Sequence, residues 1–425
     1  MNSPPCCARA GGCRHSCPGG TSRCGMHADV LIVGAGPVGL FLAGLLAARG
    51  VDVAVLERRE HPPEHSRAIG LHPPALDALA VLDLDRAAVA EGVTVRRGVG
   101  YGDGRLLGEI TFDRAHPRYP FVLTLPQSRT EQLLAGHLER LVPGAVHRGV
   151  EVVAVEDHDA GAPVLVSART VAGETRQWSA QVVVGADGAH STVRWLVGIG
   201  VDRRDWGDSY LMGDFADTAP AGLVAPAAAP DADRTAVIHL HRDGVVESFP
   251  LPGGQRRWVV HTGRQQRPES AEDLVALVRE RRGENASELP ELPDAATATM
   301  ISAFTVYRQL ARRMVAGRTV VIGDAAHAIS PIGGQGMTVG WLDALALAPL
   351  LSGLFQGPPD LGAFERVRLR AARRAARMAE VNMVLGRPLG AAVRRGRDTL
   401  ARAALATPAK HRLARLYSMG GVIQR

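Results

Sequence analysis

Beyond residue 25 the sequence contains no cysteine. All five, Cys6, Cys7, Cys13, Cys17 and Cys24, precede Met26. The body therefore has no thiol nucleophile, no cysteine metal site and no disulfide. Within the first 25 residues the spacing contains no Cys-x-x-Cys pair, and no apolar run could supply a core. A small metal or disulfide site helped by His15 is the competing reading. We expect residues 1–25 to be a disordered, dispensable tail, with Met26 as the effective start. The first residues also lack the apolar stretch of a signal peptide, so a cytoplasmic location is expected. No uninterrupted apolar run reaches the ~20 residues of a membrane span. From Arg366 to Arg415 no Phe, Tyr or Trp is interleaved with the arginines, which argues against nucleic acid as a partner.

What is present is enough for two domains, or one with a large insertion. There are 425 residues, 46% of them hydrophobic. The net charge of +6 is unevenly placed. Residues 355–425 carry 15 basic and 4 acidic side chains, so the remainder is net negative. Nearly every basic residue is Arg, in keeping with a high-GC coding sequence. The stretch from Leu361 to Leu416 is Ala/Arg-rich and helical in pattern, with breaks near Gly386 and Pro408. A basic amphipathic helix can lie on an anionic membrane. The preferred reading is a helical cover whose arginine stems pack on the core.

Three junctions carry chemistry. The first is Ala28 to Arg59. A buried strand, Val30–Val33, ends in Gly34-Ala35-Gly36-Pro37-Val38-Gly39, and a helix follows to Arg49. A second strand, Val53–Leu56, is tipped by Glu57. G-x-G-x-x-G alone is weak. Between strand and helix, with an acid roughly 20 residues on, it is a strong dinucleotide fingerprint. The pyrophosphate sits at the helix N-terminus and the acid takes ribose hydroxyls. The second junction, in Trp178–Arg194, runs from a strand through Gly185-Ala186-Asp187-Gly188 into a short helix. The third is Thr319–Leu350. A β-branched strand leads through Asp324, Pro331, Gly333, Gly334 and Gly336 into a helix from Met337. Such a loop offers a carboxylate, close backbone approach and free helix N–H groups to a flat ligand.

Between these junctions, the stretch from Val93 to Leu125 is strand-like, with turns at Gly102-Asp103-Gly104 and His116-Pro117. Asp205 to Tyr307 reads as short alternating strands with one helix, Ser270–Arg282, an antiparallel platform for a substrate. His239, His241, Tyr210 and Tyr307 are its candidate bases or orienters. His72 and His327 lie nearer the cofactor motifs.

In order and spacing, GAGPVG with Glu57, GADGAHSTVR and GDAAHAISPIGGQGM resemble the FAD-dependent aromatic hydroxylases, the para-hydroxybenzoate hydroxylase family. SRAIGLHPPALDAL and LPQSRTEQLL resemble that family's linking segments. The resemblance covers Met26 to about Leu350. It implies an α/β chain: a three-layer, Rossmann-type FAD domain (26–92, 126–204, 318–352), an inserted, mainly antiparallel substrate sheet (93–125, 205–317) and C-terminal helices (353–425). It implies non-covalent FAD, with NAD(P)H and O2 as co-substrates and a small molecule as substrate. Gly34, Gly36, Gly39 and Glu57 would hold the ADP part. Arg67 and Gln127 would contact the middle of the cofactor. Asp187 and Gly188 would form the turn that serves FAD and nicotinamide. Asp324 would bind the ribityl hydroxyls. Pro331, Gly333 and Gly334 would form the catalytic edge, with Gly336 and Met337 at the helix start. In that family oxygen adds at flavin C4a, and the hydroperoxide passes its distal oxygen to an electron-rich carbon.

The sequence departs from the family in three ways. Residues 353–425 read as helices, so the thioredoxin-like C-terminal domain of larger phenol and polyketide hydroxylases is not expected in them. The sequence has no Trp-x-Trp-x-Ile-Pro, which disfavours a halogenase. Thr338 stands where Asn is usual, keeping a hydroxyl near the ring but losing the amide. The implied function is hydroxylation of an aromatic or polyketide-type molecule. A membrane-associated quinone-pathway or prenyl-chain oxygenase is the alternative, and a non-catalytic carrier on the same fold is the rival from another class.

Overall fold

The computed structural model describes residues 26–63, 67–158, 162–217, 234–263, 269–282, 290–353 and 360–419. The expected tail, with all five cysteines, lies outside them. The apolar run Met26–Val33 forms the central strand of a parallel sheet. Val53–Glu57 pairs on one side of it and Thr175–Gly185 on the other. Thr319–Val321 and Val146–Arg148 extend the sheet outward, also in parallel. The stretches Val30–Val33, Val53–Glu57, Val182–Gly185 and Thr319–Val321 are fully buried, which is why they read as continuous, mainly apolar runs. The helices Pro37–Ala47 and Gly336–Ser352 pack together through Phe41 and Trp341, whose rings lie 5.3 Å apart. Trp341 Nε1 also donates to the Pro37 carbonyl at 2.9 Å.

The second large sheet runs in the order His327–Ala328, Met300–Ala311, Val201–Ala216, Gln255–Gly263, Gly244–Leu251, Thr235–His241, Arg97–Gly102, Arg105–Thr111. Pairing is antiparallel except between Thr235–His241 and Arg97–Gly102. Alternation divides its faces. Leu211, Phe215, Val246, Trp258 and Val260 pack on Leu274, Val275 and Val278 of the helix Ala271–Arg282. Tyr210, Met212, Val245, Val259 and Val306 face the opposite way. The expectation of short strands is corrected here. Val201–Ala216 has 16 residues and Met300–Ala311 has 12. The first half of Val201–Ala216 is polar and mostly exposed, with a bulge between Asp205 and Asp208, so no period-two apolar signal marks it.

Strands within 93–125 divide between two sheets. Arg97–Gly102 and Arg105–Thr111 join the large antiparallel sheet through a turn with Asp103 and Gly104 at positive φ. Val93–Val95 and Val122–Thr124 instead form a small sheet with Gly70–Leu71.

The C-terminal helices are Leu361–Gly386, Ala391–Leu405 and Ala409–Tyr417, broken where Gly386 and Pro408 suggest. Ala372, Ala375, Ala376 and Ala379 form a buried helical stripe. Several arginines tie these helices inward: Arg308 to Glu380, Arg387 to Asp208, and Arg394 to Asp103. Among the described residues no helix is long and apolar enough to cross a membrane.

Beneath the third junction lies a fully buried ionic network. Asp343 accepts from His327 Nε2 at 2.5 Å, Arg368 Nε at 2.7 Å and the Gly323 N–H at 3.1 Å. Burial alone pushes the Asp343 carboxyl up. His327 and Arg368 outweigh that and hold it below the usual range. Asp343 in turn holds the His327 imidazole above its ordinary value against its own burial. Replacing Asp343 leaves two buried cations without their anion. Asp343→Ala is expected to lose about 3–5 kcal/mol of unfolding free energy, measured by urea titration. A loss below about 1 kcal/mol would show that the network relaxes without cost.

Candidate active site

One cavity of about 710 Å³ reaches from the first Gly-rich turn to the antiparallel sheet. A volume of this order suits a bound small molecule. Gly34, Gly36, Glu57, Arg67, Gln127, Asp187, Gly188, Asp324, Pro331, Gly333, Gly334, Gly336 and Met337 all line it. Thus residues up to 303 positions apart in sequence share one wall system. Of the cofactor residues expected from the sequence, only Gly39 lies off the cavity.

The first turn assigns each glycine its own task. Gly34 has φ +106°, and a Cβ there would sit 2.5 Å from the Ala186 carbonyl oxygen. Gly36 has an ordinary φ of −78°, and a Cβ there would meet nothing within 4 Å. Its missing side chain therefore leaves cavity space. At Gly39 a Cβ would lie 2.0 Å from the Gly34 carbonyl oxygen, so Gly39 serves helix–strand packing. The helix begins with Pro37 and has no side-chain cap, so its first N–H groups are available to an anion.

Glu57 does not stand free. Its Oε2 accepts from the Ala35 N–H at 2.8 Å, and its Oε1 accepts from Arg59 N and Nε, each at 2.9 Å. Burial pushes this carboxyl up, but the Arg59 and Ala35 bonds outweigh it and keep it ionised. Arg67 places its guanidinium 5.5 Å from the Phe304 ring centre, and its carbonyl accepts from Arg257 Nη1 at 2.5 Å. Gln127 donates to Glu131 at 2.7 Å.

At the second junction, Asp187 Oδ2 accepts the Val193 N–H at 3.0 Å, while its Oδ1 is buried without a partner. Gly188 follows with φ +83°. Arg194 joins this turn to the third junction, donating to the carbonyls of Ala189 at 3.0 Å and Ala325 at 2.7 Å.

At the third junction Asp324 turns its carboxyl into the cavity although protein surrounds the site. Burial raises its pKa, and the charge of His327 opposes the rise. Gly333 and Gly334 adopt φ +91° and +65°, and the Gly334 N–H bonds the Pro331 carbonyl at 2.9 Å. His72 Nε2 lies 2.7 Å from the Gly333 carbonyl oxygen. That oxygen can only accept, so Nε2 carries the proton. Burial lowers the His72 pKa to about 4, against the pull of the Gly333 bond, so the ring is neutral near pH 7. The helix then starts at Gly336 with no side-chain cap.

The substrate-side candidates divide. Tyr307 lines the cavity, with the Arg203 guanidinium 4.0 Å from its ring centre. Tyr210 is buried between Phe304 and His261 and does not line it. His239 stacks on Tyr101, and His241 pairs with Asp243. His327 belongs to the network beneath the loop. Thr338 corrects an expectation, for it is fully buried, off the cavity, and its Oγ1 has no partner.

Sequence reasoning also passed over Glu247. It lines the cavity beside Phe249, Val259 and Met212, and burial raises its pKa to about 7. In V-V-E-S-F a glutamate at alternate spacing reads as solvent-facing, so no local signal marks it.

Uncapped helix starts, a side-chain-free Gly36, the orphaned Asp187 Oδ1 and the cavity-facing Asp324 carboxyl together fit a bound dinucleotide. Fold and site define an α/β nucleotide-cofactor protein with an attached antiparallel platform. A family model described as FAD binding domain matches residues 27–380. The 6-methylpretetramide 4-monooxygenase of Streptomyces rimosus is 35% identical over 333 residues, covering 77% of this chain and 56% of that protein. The para-nitrophenol 4-monooxygenase of Pseudomonas sp. (strain WBC-3) is 30% identical over 333 residues, covering 76% of this chain and 77% of that protein. Among solved structures, anhydrotetracycline hydroxylase from Streptomyces rimosus aligns with a TM-score of 0.71 at 30% identity, over 93% of this chain and 76% of that one. The p-nitrophenol 4-monooxygenase from Pseudomonas putida DLL-E4 shares the fold, with a TM-score of 0.79 at 24% identity over 94% and 99% of the two chains. The chain belongs to the FAD-binding family of aromatic hydroxylases. It spans 56%, 63% and 65% of the length of three curated relatives it matches.

The glycine geometry separates folding from binding. Gly39→Ala forces a Cβ onto a backbone oxygen and should cost about 1–3 kcal/mol of stability. Gly36→Ala should change stability by less than about 0.5 kcal/mol. It should nevertheless weaken FAD binding measurably, by flavin fluorescence titration. Equal FAD affinity in Gly36→Ala and the parent would mean that this space is not used by the cofactor.

Proposed function

We propose that this chain is an FAD-dependent monooxygenase that uses NAD(P)H and O2 to hydroxylate an aromatic or polyketide-type small molecule. One observation carries the reading. The three junctions and one face of the antiparallel sheet line a single cavity. A cofactor held by the junctions would therefore lie against the surface that receives the substrate.

The residues take roles from their surroundings. Gly34 and Gly36 admit the pyrophosphate to the start of helix Pro37–Ala47, and ionised Glu57 faces the adenosine ribose. Arg67 and Gln127 lie along the middle of the cofactor. Asp187 and Gly188 shape the adjoining turn. Asp324 accepts from the ribityl hydroxyls. Pro331, Gly333 and Gly334 bring bare backbone to the ring edge, and the uncapped helix start at Gly336 and Met337 favours negative charge there. FAD, when bound, supplies electron transfer from NAD(P)H and the activation of O2. The protein binds, orients and excludes water. Met212, Phe249, Val259 and Phe304 supply an apolar bed for a flat substrate. Inward ion pairs of the C-terminal segment, through Glu380, Arg387 and Arg394, favour a cover for the sheet over a membrane-surface role.

Purified protein supplied with FAD is expected to turn yellow and to oxidise NADPH or NADH faster when a hydroxyarene is added. Asp324→Ala should weaken FAD by about ten- to a hundredfold, the loss of one charge-assisted bond of roughly 1.5–3 kcal/mol. A protein that stays colourless and leaves the flavin spectrum unchanged would overturn the enzyme reading.

A further inference from the structure

Glu247 stands out among the cavity groups because, among the described residues, no side chain pairs with it. It lies on strand Gly244–Leu251, in register with Val259 on one neighbour and Ile238 on the other. Side chains directly opposite share a face, so the carboxyl emerges from an apolar row. Among the described residues it forms no hydrogen bond or ion pair, and burial alone accounts for its raised pKa. The charged groups around it are otherwise engaged. Arg257, on the adjacent strand, holds Asp214 through two bonds of 2.6 and 2.7 Å. Asp208 is paired with His261 and Arg387. Arg67 lies over Phe304, and His72 is neutral at Gly333. Two phenols sense the Glu247 charge, Tyr210 on strand Val201–Ala216 and Tyr417 on the last helix. Burial first, then Glu247, raises the pKa of each.

A carboxyl that lines the cavity beside Met212, Phe249 and Val259, with no partner among the described residues, is open to a hydrogen-bond donor from a ligand. We propose that Glu247 is the acceptor for a ring hydroxyl of the substrate, first as a hydrogen bond and then for its proton. This rests on the hydroxylase reading above and names the group on the substrate that the site selects. In the transfer the substrate O–H bond breaks, and a Glu247 oxygen takes the proton. The bonding pair stays on the ring oxygen and raises electron density at the ortho and para carbons. No redox partner is needed for this step. The acceptor form of Glu247 grows as pH rises through about 7. Recognition should therefore strengthen across that range until the free phenol itself ionises.

The test uses the full chain loaded with FAD, with binding read from the flavin difference spectrum. The probes are 1-naphthol and 1-methoxynaphthalene, which differ in the hydroxyl proton. For the parent, 1-naphthol should bind roughly tenfold tighter at about pH 8 than at about pH 6, and 1-methoxynaphthalene should not change. Glu247→Gln should bind 1-naphthol roughly tenfold more weakly at the higher pH and lose the pH rise. Glu247→Asp should keep it. A second readout needs no ligand. The folded-state pKa is raised, so ionising Glu247 destabilises the fold as pH climbs from the unfolded value near 4.5 toward about 7. Glu247→Gln should therefore raise the melting temperature at about pH 8 and leave it unchanged at about pH 4. Equal pH profiles in the parent and Glu247→Gln, with both binding 1-naphthol, overturn the Glu247 role alone. A parent that takes up no FAD overturns the hydroxylase reading. A loaded parent that binds neither probe overturns both.

Discussion

The Asp343 carboxylate is the fixed point on which the site depends. It is wholly buried, and its bonds come from three directions: the Gly323 N–H before Asp324, the His327 ring after it, and Arg368 from the first C-terminal helix. The loop that presents Asp324 and Pro331–Gly336 is thereby clamped from below by an ion that cannot reach solvent. The helix carrying Asp343 is pressed on the first nucleotide-binding helix. At Gly340 a Cβ would meet Val38 Cγ2 at 2.6 Å and Gly323 Cα at 3.1 Å. The first and third junctions are thus parts of one packed block, although 285 positions separate Gly39 from Asp324 in sequence. Pre-organisation of this kind lowers the ordering cost of binding a long, flexible cofactor.

The second sheet is attached to that block by polar contacts placed at the cavity rim. Arg257 holds Asp214 within the sheet and the Arg67 carbonyl outside it. Thr124 Oγ1 donates to the Pro250 carbonyl at 2.6 Å, joining the small sheet to the large one. Gln309 Nε2 reaches the Ala189 carbonyl at 2.7 Å, beside the Asp187 turn. These bonds fix the distance between cofactor walls and substrate floor. The floor is mainly apolar, with Glu247, Arg257, Thr305 and Tyr307 as its polar members.

Much of this was legible in the sequence because it is local. G-x-G-x-x-G between strand and helix, Asp-Gly after a buried strand, and the glycines before Met337 each specify backbone that needs no tertiary context. The C-terminal breaks at Gly386 and Pro408 are legible for the same reason. What could not be read depends on distant contacts. The Gly39 task appears only when the Gly34 carbonyl is seen against it. His72 meets Gly333 across 261 residues. Thr338 looked like a ring contact by alignment of pattern, yet helix Gly336–Ser352 turns it into the core. The strand Val201–Ala216 was hidden by its own polar half. Glu247 was hidden by alternation, since period two cannot say which of two faces is wet.

The central claim is that both junctions grip one dinucleotide in a single cavity. The direct measurement is calorimetric titration of the purified, cofactor-free protein with FAD, FMN and ADP under one set of conditions. Two-ended recognition predicts that FAD binds at least about a hundredfold tighter than FMN or ADP, with one molecule per chain. FMN binding as tightly as FAD would contradict it, because the Gly34–Glu57 end would then contribute nothing.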